Sequence, residues 1–131
     1  MMEQRFFSLA EAQALIPVVR QLLTEIQTLK SDLDKGSAVL DALLVMSGGN
    51  GSMARDVAEA RAAVRESVSA LEGRMEELTQ TGAELKGIDE GLIDFPSERE
   101  GRVVYLCWKL GEDAIEWWHE LGDGFAGRQR L

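Results

Sequence analysis

The sequence is poor in the residues that define several large classes of protein. Its 131 residues include one cysteine, so no disulfide can form within one chain. No apolar run reaches the roughly 18 residues that a transmembrane helix needs. Prolines number two and aromatic residues make up 6%, whereas 45% of the residues are hydrophobic and 28% are charged. Collagen-like, mucin-like, wholly disordered and membrane-spanning chains are therefore not expected.

Basic residues are also scarce. The chain has 14 lysines and arginines against 23 acidic residues, which gives a net charge of -9. Because these basic residues form no cluster, we expect no binding to nucleic acid. The first residues, from Met1 to Arg5, lack the charged and then apolar pattern of a secretion leader. Together with the single cysteine, this predicts a cytoplasmic protein without membrane attachment.

The N-terminal third predicts a long amphipathic helix. Ser8 and Glu11 have the spacing of a capping box, in which each side chain bonds a free backbone N–H. Pro17 should bend this helix, and Gly36 is a candidate end, with a second helical piece to about Val45. The apolar positions that follow the cap are spaced alternately by three and four residues, as in a coiled-coil seam: Ala12, Leu15, Val19, Leu22, Ile26, Leu29 and Leu33.

A glycine-rich break at residues 47–52 separates this helix from a second one. The pattern favours a flexible turn over a phosphate-binding loop, because no strand precedes it and no Lys-Ser or Lys-Thr pair follows it. The second helix should weaken by Gly82. Its seam residues recur at steps of three, four or seven: Val57, Ala60, Val64, Val68, Leu71, Met75, Leu78 and Leu85. Two such helices joined by a turn predict an antiparallel helical hairpin.

The C-terminal third holds six of the eight aromatic residues and differs in pattern. Residues 88–95 and 102–108 are typical of strands, and a turn at 96–101 would join them into a β-hairpin. Residues 112–121 predict a short helix. The fold class is thus mainly α within an α+β arrangement. We expect one domain over residues 1–131, with the helical hairpin at 1–85 and the β-hairpin plus short helix at 86–131.

The predicted short helix carries the only histidine and a candidate metal site. Glu112, Glu116 and His119 would form one stripe, and the Glu-x-x-His spacing is used by helices that bind divalent transition metals. Further ligands would come from Asp94, from Glu11 or from a dimer mate. The alternative is a plain solvent or interface face. The stripe lies opposite the apolar arc of the same helix: Ala114, Trp117, Trp118 and Leu121.

Other residues of the C-terminal region allow two interpretations each. Cys107 is either a nucleophile activated by His119 or a buried and inert thiol. Asp94 faces away from its strand neighbours, and with Arg99 and Arg102 it would form either a small anion site or ion pairs that fix a loop. The adjacent pair of tryptophans, residues 117–118, is either a ligand-stacking platform or a contribution to the core.

These observations support competing functions and assign no enzymatic activity. One hypothesis is a helical interaction or oligomerisation module, which forms a homodimer through the helical seams or binds a protein partner. The alternative is a small metal-binding protein with a carboxylate and histidine site and redox or hydrolytic activity. A third is a small-ligand sensor that uses the aromatic C-terminal region.

The sequence also resembles a known family over nearly its whole length. The N-terminal match is Phe7-Ser8-Leu9-Ala10-Glu11-Ala12 with Leu15-Ile16-Pro17. The C-terminal match is Asp94-Phe95-Pro96, Gly101-Arg102, Leu106-Cys107-Trp108, Gly111-Glu112 and Trp118-His119-Glu120. These segments resemble the bacterial family known as domain of unknown function 2203. The resemblance implies a bacterial, cytoplasmic protein and carries no activity with it.

Overall fold

The computed structural model describes residues 4–131, which contain two long helices and one antiparallel sheet. The elements follow in the order α1 (Leu9–Ser47), α2 (Ala54–Gln80), β1 (Glu84–Gly87), β2 (Leu92–Arg99), β3 (Arg102–Lys109), β4 (Trp117–His119) and β5 (Gln129–Arg130). These two long helices and five strands make the fold a mixed α+β one. No helix in the described part of the chain is both long enough and apolar enough to cross a membrane.

The described chain forms two compact units. One contains residues up to Thr24 together with Glu76–Leu131, and the other is Glu25–Met75. Both helices contribute residues to both units.

Helix α1 begins with the predicted capping box. The Ser8 backbone N–H donates to Glu11 Oε1 at 2.9 Å, and the Glu11 N–H donates to Ser8 Oγ at 3.1 Å. The helix continues without a break through Pro17 and Gly36 to Ser47, so the predicted end at Gly36 is wrong. A glycine inside a helix costs only about 1 kcal/mol relative to alanine, and the continuing seam outweighs that cost.

The unit Glu25–Met75 is an antiparallel pair of helical segments. The Glu25 carboxylate of α1 contacts the Arg74 guanidinium of α2 at 3.2 Å. Further along, a Cβ built on Gly36 would lie 3.5 Å from a methyl carbon of Val64. The residue numbers rise in α1 as they fall in α2, which defines the antiparallel direction. The glycine-rich segment supplies the connection as predicted, with a single 3₁₀ turn at Gly51–Met53.

The five strands form a meander in which each strand pairs with the next along the chain. Strands β2 and β3 are joined by the two-residue turn Glu100-Gly101, in which both residues have positive φ, 53° and 79°. The predicted turn at 96–101 is therefore too long, and Pro96 lies inside β2. Proline is tolerated there because β1 pairs only with Leu92, Ile93 and Asp94, so β2 has no β1 neighbour at Pro96.

Two further predictions for this region need correction. The predicted strand at 88–95 starts too early, because residues 88–91 form the turn between β1 and β2. The predicted helix at 112–121 is wrong: the segment is a loop followed by β4, which pairs with Tyr105, Leu106 and Cys107 of β3. A helix here would leave the backbone groups along this edge of β3 without those partners.

One face of the sheet carries the core of its unit. Facing residues of β2, β3 and β4 bury their side chains there: Ile93, Phe95, Val104, Leu106, Trp108 and Trp118. The first half of α1 contributes buried apolar side chains to the same unit, and the Gln13 side chain accepts a hydrogen bond from the Ile115 N–H at 2.8 Å. Phe7 contacts Phe95 edge to face, with ring centroids 5.4 Å apart.

Candidate functional site

The opposite face of the sheet brings together three buried side chains with metal-binding atoms. Asp94 of β2 lies directly across from Cys107 of β3, and His119 of β4 lies across from Tyr105, two residues before Cys107. All three are at most 4% exposed. One carboxylate oxygen, the sulfur and one ring nitrogen lie within 4.8 Å of one another. We call these three residues the Asp–Cys–His cluster.

The hydrogen bonds of His119 fix its orientation. Nδ1 lies 2.7 Å from the Glu120 carbonyl oxygen, which only accepts hydrogen bonds, so Nδ1 carries a proton. Nε2 lies 2.9 Å from Asp94 Oδ2. One proton must therefore lie between Nε2 and Oδ2, either on the ring or on the carboxyl group. Removal of this proton would leave Nε2 with a free lone pair directed at Asp94.

Asp94 is the central member of the cluster. It interacts with His119 and also accepts a hydrogen bond from the Cys107 thiol. Burial raises the pKa of Asp94, and these hydrogen bonds together with the charge of His119 only partly oppose that effect. The order of contacts is thus thiol, carboxylate and imidazole, with the carboxylate in the middle.

This order does not suit nucleophilic catalysis by Cys107. A base would have to accept the thiol proton, but one nitrogen of His119 bonds Glu120 and the other bonds Asp94. Burial, followed by the charge of Asp94, raises the pKa of Cys107 to about 11. The guanidinium of Arg128 hydrogen-bonds the sulfur and opposes this shift incompletely. The geometry therefore favours the buried thiol of the two interpretations open from the sequence.

The structure does not bring Glu112 and Glu116 together with His119, since the helix that would align them is absent. Both oxygens of Glu112 pair with Arg128, at 3.1 and 3.0 Å, and one of them also accepts from the Lys109 N–H at 2.7 Å. Glu116 pairs with Arg130 at 3.5 Å. Glu112 nevertheless lies near the cluster, because it pairs with the Arg128 guanidinium, which also hydrogen-bonds the Cys107 sulfur.

A second row of polar side chains runs beside the cluster on the same face. The Tyr105 hydroxyl donates to Glu84 Oε1 at 3.0 Å, and Lys86 Nζ lies 3.1 Å from the same oxygen. Lys86 also lies over the Tyr105 ring, 4.6 Å from its centroid. A cavity of about 110 Å³ lies between this row, the cluster and the segment that contains Leu121 and Phe125.

Of the remaining predicted candidates, Trp117 lies beside the cluster and the others lie apart from it. Arg99 stacks over Trp118 at 4.7 Å, and Arg102 pairs with Glu120 at 2.6 Å. Asp94 thus forms no anion site with these arginines. Glu11 is occupied by the capping box. Trp118 belongs to the core, whereas Trp117 is half-buried on the cluster face, directly across from Cys107, and Arg128 lies 4.6 Å from its ring.

The Asp–Cys–His cluster has the composition of a metal site. Oxygen, sulfur and nitrogen donors together suit zinc and related transition metals. Around a tetrahedral ion, metal–ligand bonds of 2.0–2.3 Å place ligand atoms roughly 3.3–3.8 Å apart. The upper limit of 4.8 Å in this structure requires only small movements of the side chains to reach that spacing.

The comparisons with known proteins identify a family without supplying a function. The model of the uncharacterised conserved protein family DUF2203 matches residues 5–131, so the chain belongs to that family. Curated proteins and solved structures give no match to this chain. The function must therefore be inferred from the geometry of the site.

Proposed function

We propose that the protein binds a divalent transition metal, Zn²⁺ in the first place, through Asp94, Cys107 and His119. The observation that carries this proposal is the convergence of three buried donor atoms from adjacent strands within 4.8 Å. Burial of a carboxylate, a thiol and an imidazole costs free energy, which a bound cation would offset.

The contacts around the cluster support this proposal. The Nδ1–H of His119 bonds a backbone carbonyl, which is the usual outer contact of a metal-binding histidine and leaves Nε2 for the ion. Binding would displace the proton between Nε2 and Asp94 and the proton of the thiol, so metal uptake would release protons. The sulfur donor disfavours Mg²⁺ and Ca²⁺, which prefer oxygen ligands. A cytoplasmic location, as predicted from the single cysteine, would keep that thiol reduced.

Metal titration of four proteins tests the assignment. Wild type and the variants His119→Ala, Cys107→Ser and Glu116→Gln are titrated with Zn²⁺ against a chromophoric chelator in reducing buffer. We expect His119→Ala and Cys107→Ser to lose at least about 100-fold in affinity, because each removes a direct ligand. Glu116→Gln is the matched control, and its affinity should equal that of wild type because Glu116 pairs with Arg130.

Two results would contradict the metal assignment. One is the absence of Zn²⁺ binding by wild type, which would make the cluster a buried polar network that stabilises the sheet. The other is equal affinity of wild type and His119→Ala. A loss on Glu116→Gln with retained binding by Cys107→Ser would instead favour the ligand set expected from the sequence.

A second function, self-association through the helical hairpin, is supported by a separate observation. Within Glu25–Met75, Ile26 is the only buried apolar side chain. The seam residues of α1, such as Leu29, Leu33 and Leu40, are only half-buried. The same unit exposes further apolar side chains: Val39, Leu44, Val45, Met46 and Met75. We propose that a second copy of the chain covers these seams in a homodimer.

The charge of the unit permits this association. Residues 25–75 contain six basic and eight acidic residues, a net charge of -2, whereas the whole chain carries -9. Two copies of the unit therefore repel each other only weakly. An added negative charge in the seam should have a larger effect than the same charge on the outer face.

Light scattering combined with circular dichroism tests the homodimer. Wild type should have twice the 14.5 kDa mass of one chain at micromolar concentration. Leu29→Asp should lower both mass and helicity, because burying a charge at the seam costs several kcal/mol. Ser31→Asp adds the same charge at an exposed position of α1 and should leave both unchanged. A wild-type mass of one chain would refute self-association.

A further inference from the structure

The cavity beside the Asp–Cys–His cluster indicates what such a metal would bind, an inference that rests on the proposed function. The three cluster residues form one wall of this cavity. The other walls come from Lys86, Tyr105 and three apolar side chains, Leu92, Leu121 and Phe125. Three protein ligands leave one position open on a tetrahedral ion. Because all three ligands project from the sheet, the open position faces away from the sheet and into the cavity.

The size of the cavity limits the occupant. Its volume is about 110 Å³. A water molecule occupies about 30 Å³ in the liquid, so the cavity accommodates roughly three or four non-hydrogen atoms. Sugars and nucleotides are too large to be enclosed in this space. The occupant is therefore a small inorganic ion or a one-carbon or two-carbon molecule.

The charge at the rim of the cavity selects among small molecules. Lys86 is the cation of the cavity wall. Burial alone would lower its pKa, but the hydrogen bond and charge of Glu84, together with the charges of Tyr105 and Asp94, outweigh burial and raise it, so the ammonium stays protonated at neutral pH. The ammonium of Lys86 has three N–H groups and its contact with Glu84 uses one of them, which leaves N–H groups available for a further acceptor. A bound metal would supply a Lewis-acidic centre with an open position in the same cavity, its two charges being balanced by the Asp94 carboxylate and the Cys107 thiolate.

We propose that the open metal position takes a small planar oxyanion, of the size of formate, nitrate or bicarbonate. One oxygen of the anion would bind the metal and another would accept a hydrogen bond from Lys86. Two oxygens on one small trigonal centre match a metal and an ammonium on neighbouring walls of a cavity this size. The apolar side of the cavity would cover the remaining edge of the anion.

Cobalt(II) supplies the probe, because its visible absorption reports both metal binding and a change of the fourth ligand. The full-length protein is loaded with Co²⁺ and titrated with sodium formate, with sodium chloride at equal ionic strength as reference. Formate should shift the absorption bands of wild type in a saturable manner. The Lys86→Met variant should bind Co²⁺ as wild type does but formate about tenfold more weakly, since it loses one charge-assisted hydrogen bond.

Two variants control for effects on folding and on overall charge. Lys86→Arg keeps the positive charge and should restore formate binding to within a few-fold of wild type. Lys35→Met removes a lysine of α1 that is not part of the cavity wall and should behave as wild type. A Co²⁺ spectrum in each variant equal to that of wild type shows that the metal site is intact.

The outcomes separate the two proposals. Co²⁺ binding by wild type without any response to formate would overturn the oxyanion inference and leave the metal site standing. Equal formate affinity of wild type and Lys86→Met would likewise overturn it, because Lys86 would then not contact the anion. Failure of wild type to bind Co²⁺ at all would overturn the proposed metal function itself, and this inference would fall with it.

Discussion

The buried thiol of Cys107 should make the metal-free protein lose stability in alkali, and replacing the thiol should remove that loss. Its pKa is raised from the ordinary value of 9.0 to about 11 by burial and by Asp94. The folded protein therefore holds the thiol proton more tightly than the unfolded chain does. This contribution is complete below pH 9 and is lost as the pH rises through about 11.

The size of the loss follows from the same two values. A difference of about two pKa units corresponds to a total of about 3 kcal/mol, of which about 1 kcal/mol is lost by pH 10. Serine does not ionise in this range, so Cys107→Ser serves as the reference. The free energy of unfolding of wild type minus that of the variant should be constant near neutral pH and fall by this amount at pH 10.

Urea unfolding followed by tryptophan fluorescence measures the effect. Both proteins are treated with a chelator and a reductant, and their free energies of unfolding are compared at about pH 7, 9 and 10. Ionisation of lysines and tyrosines affects both proteins equally and cancels in the difference. A difference that stays constant with pH would show that the thiol is not buried against Asp94. A wild-type advantage that grows with pH would mean that Arg128 dominates, and Cys107 would then be an activated nucleophile.

Further predictions concern glycines and the core. Gly36→Ala should stabilise the protein by about 0.5–1 kcal/mol in urea unfolding, because the residue is helical and its new methyl would make an ordinary contact with Val64. Gly82→Ala should destabilise it, because Gly82 has a φ of +93° and a Cβ there would lie 3.1 Å from Phe7; equal effects of the two changes would contradict this reasoning. Trp108→Ala should cost about 3–5 kcal/mol, and Trp117→Ala, at a half-buried site, clearly less.

The helical part of the fold was largely predictable from the sequence. The capping box of Ser8 and Glu11 and the alternating seam correctly indicate where α1 begins and which face it buries. Gly36 misled the prediction because a helix propensity is a small free energy, and the packing of a long seam overrides it. The connection at residues 47–52 was predicted correctly because its glycines and polar residues disfavour a helix, and no apolar seam continues through it to stabilise one.

The C-terminal region was harder to predict because its segments are short. Trp117-Trp118-His119 fits the apolar period of a helix when Ala114 and Leu121 are included, and it also fits the alternation of a strand. A strand of three residues carries too little pattern to decide between them. The decision comes from backbone pairing with β3, which depends on residues 10 to 14 positions earlier and is absent from any local pattern.

The candidate site was predictable only in part for the same reason. The sequence identified His119 as a candidate ligand, Asp94 as a side chain facing away from Phe95, and Cys107 as a member of a strand. It grouped His119 with Glu112 and Glu116 because an expected helix aligned them. The register of β2, β3 and β4 instead groups His119 with Asp94 and Cys107. Spacings of 13 and 12 residues between the three are consistent with successive antiparallel strands, which is the signal that a sheet-based prediction would have used.

The core on one face of the sheet also fixes the geometry of the site on the other face. Each member of the Asp–Cys–His cluster directly follows a buried core residue along the chain: Ile93 precedes Asp94, Leu106 precedes Cys107, and Trp118 precedes His119. Successive residues of a strand point to opposite faces, so a slip of one residue in any strand would turn a ligand towards the core and a large apolar side chain towards the cavity. The free energy lost by exposing these large apolar side chains is far larger than the free energy gained from the hydrogen bonds within the cluster. The packing of the core therefore holds the three polar side chains of the cluster in position. Their own interactions would not be strong enough to assemble them.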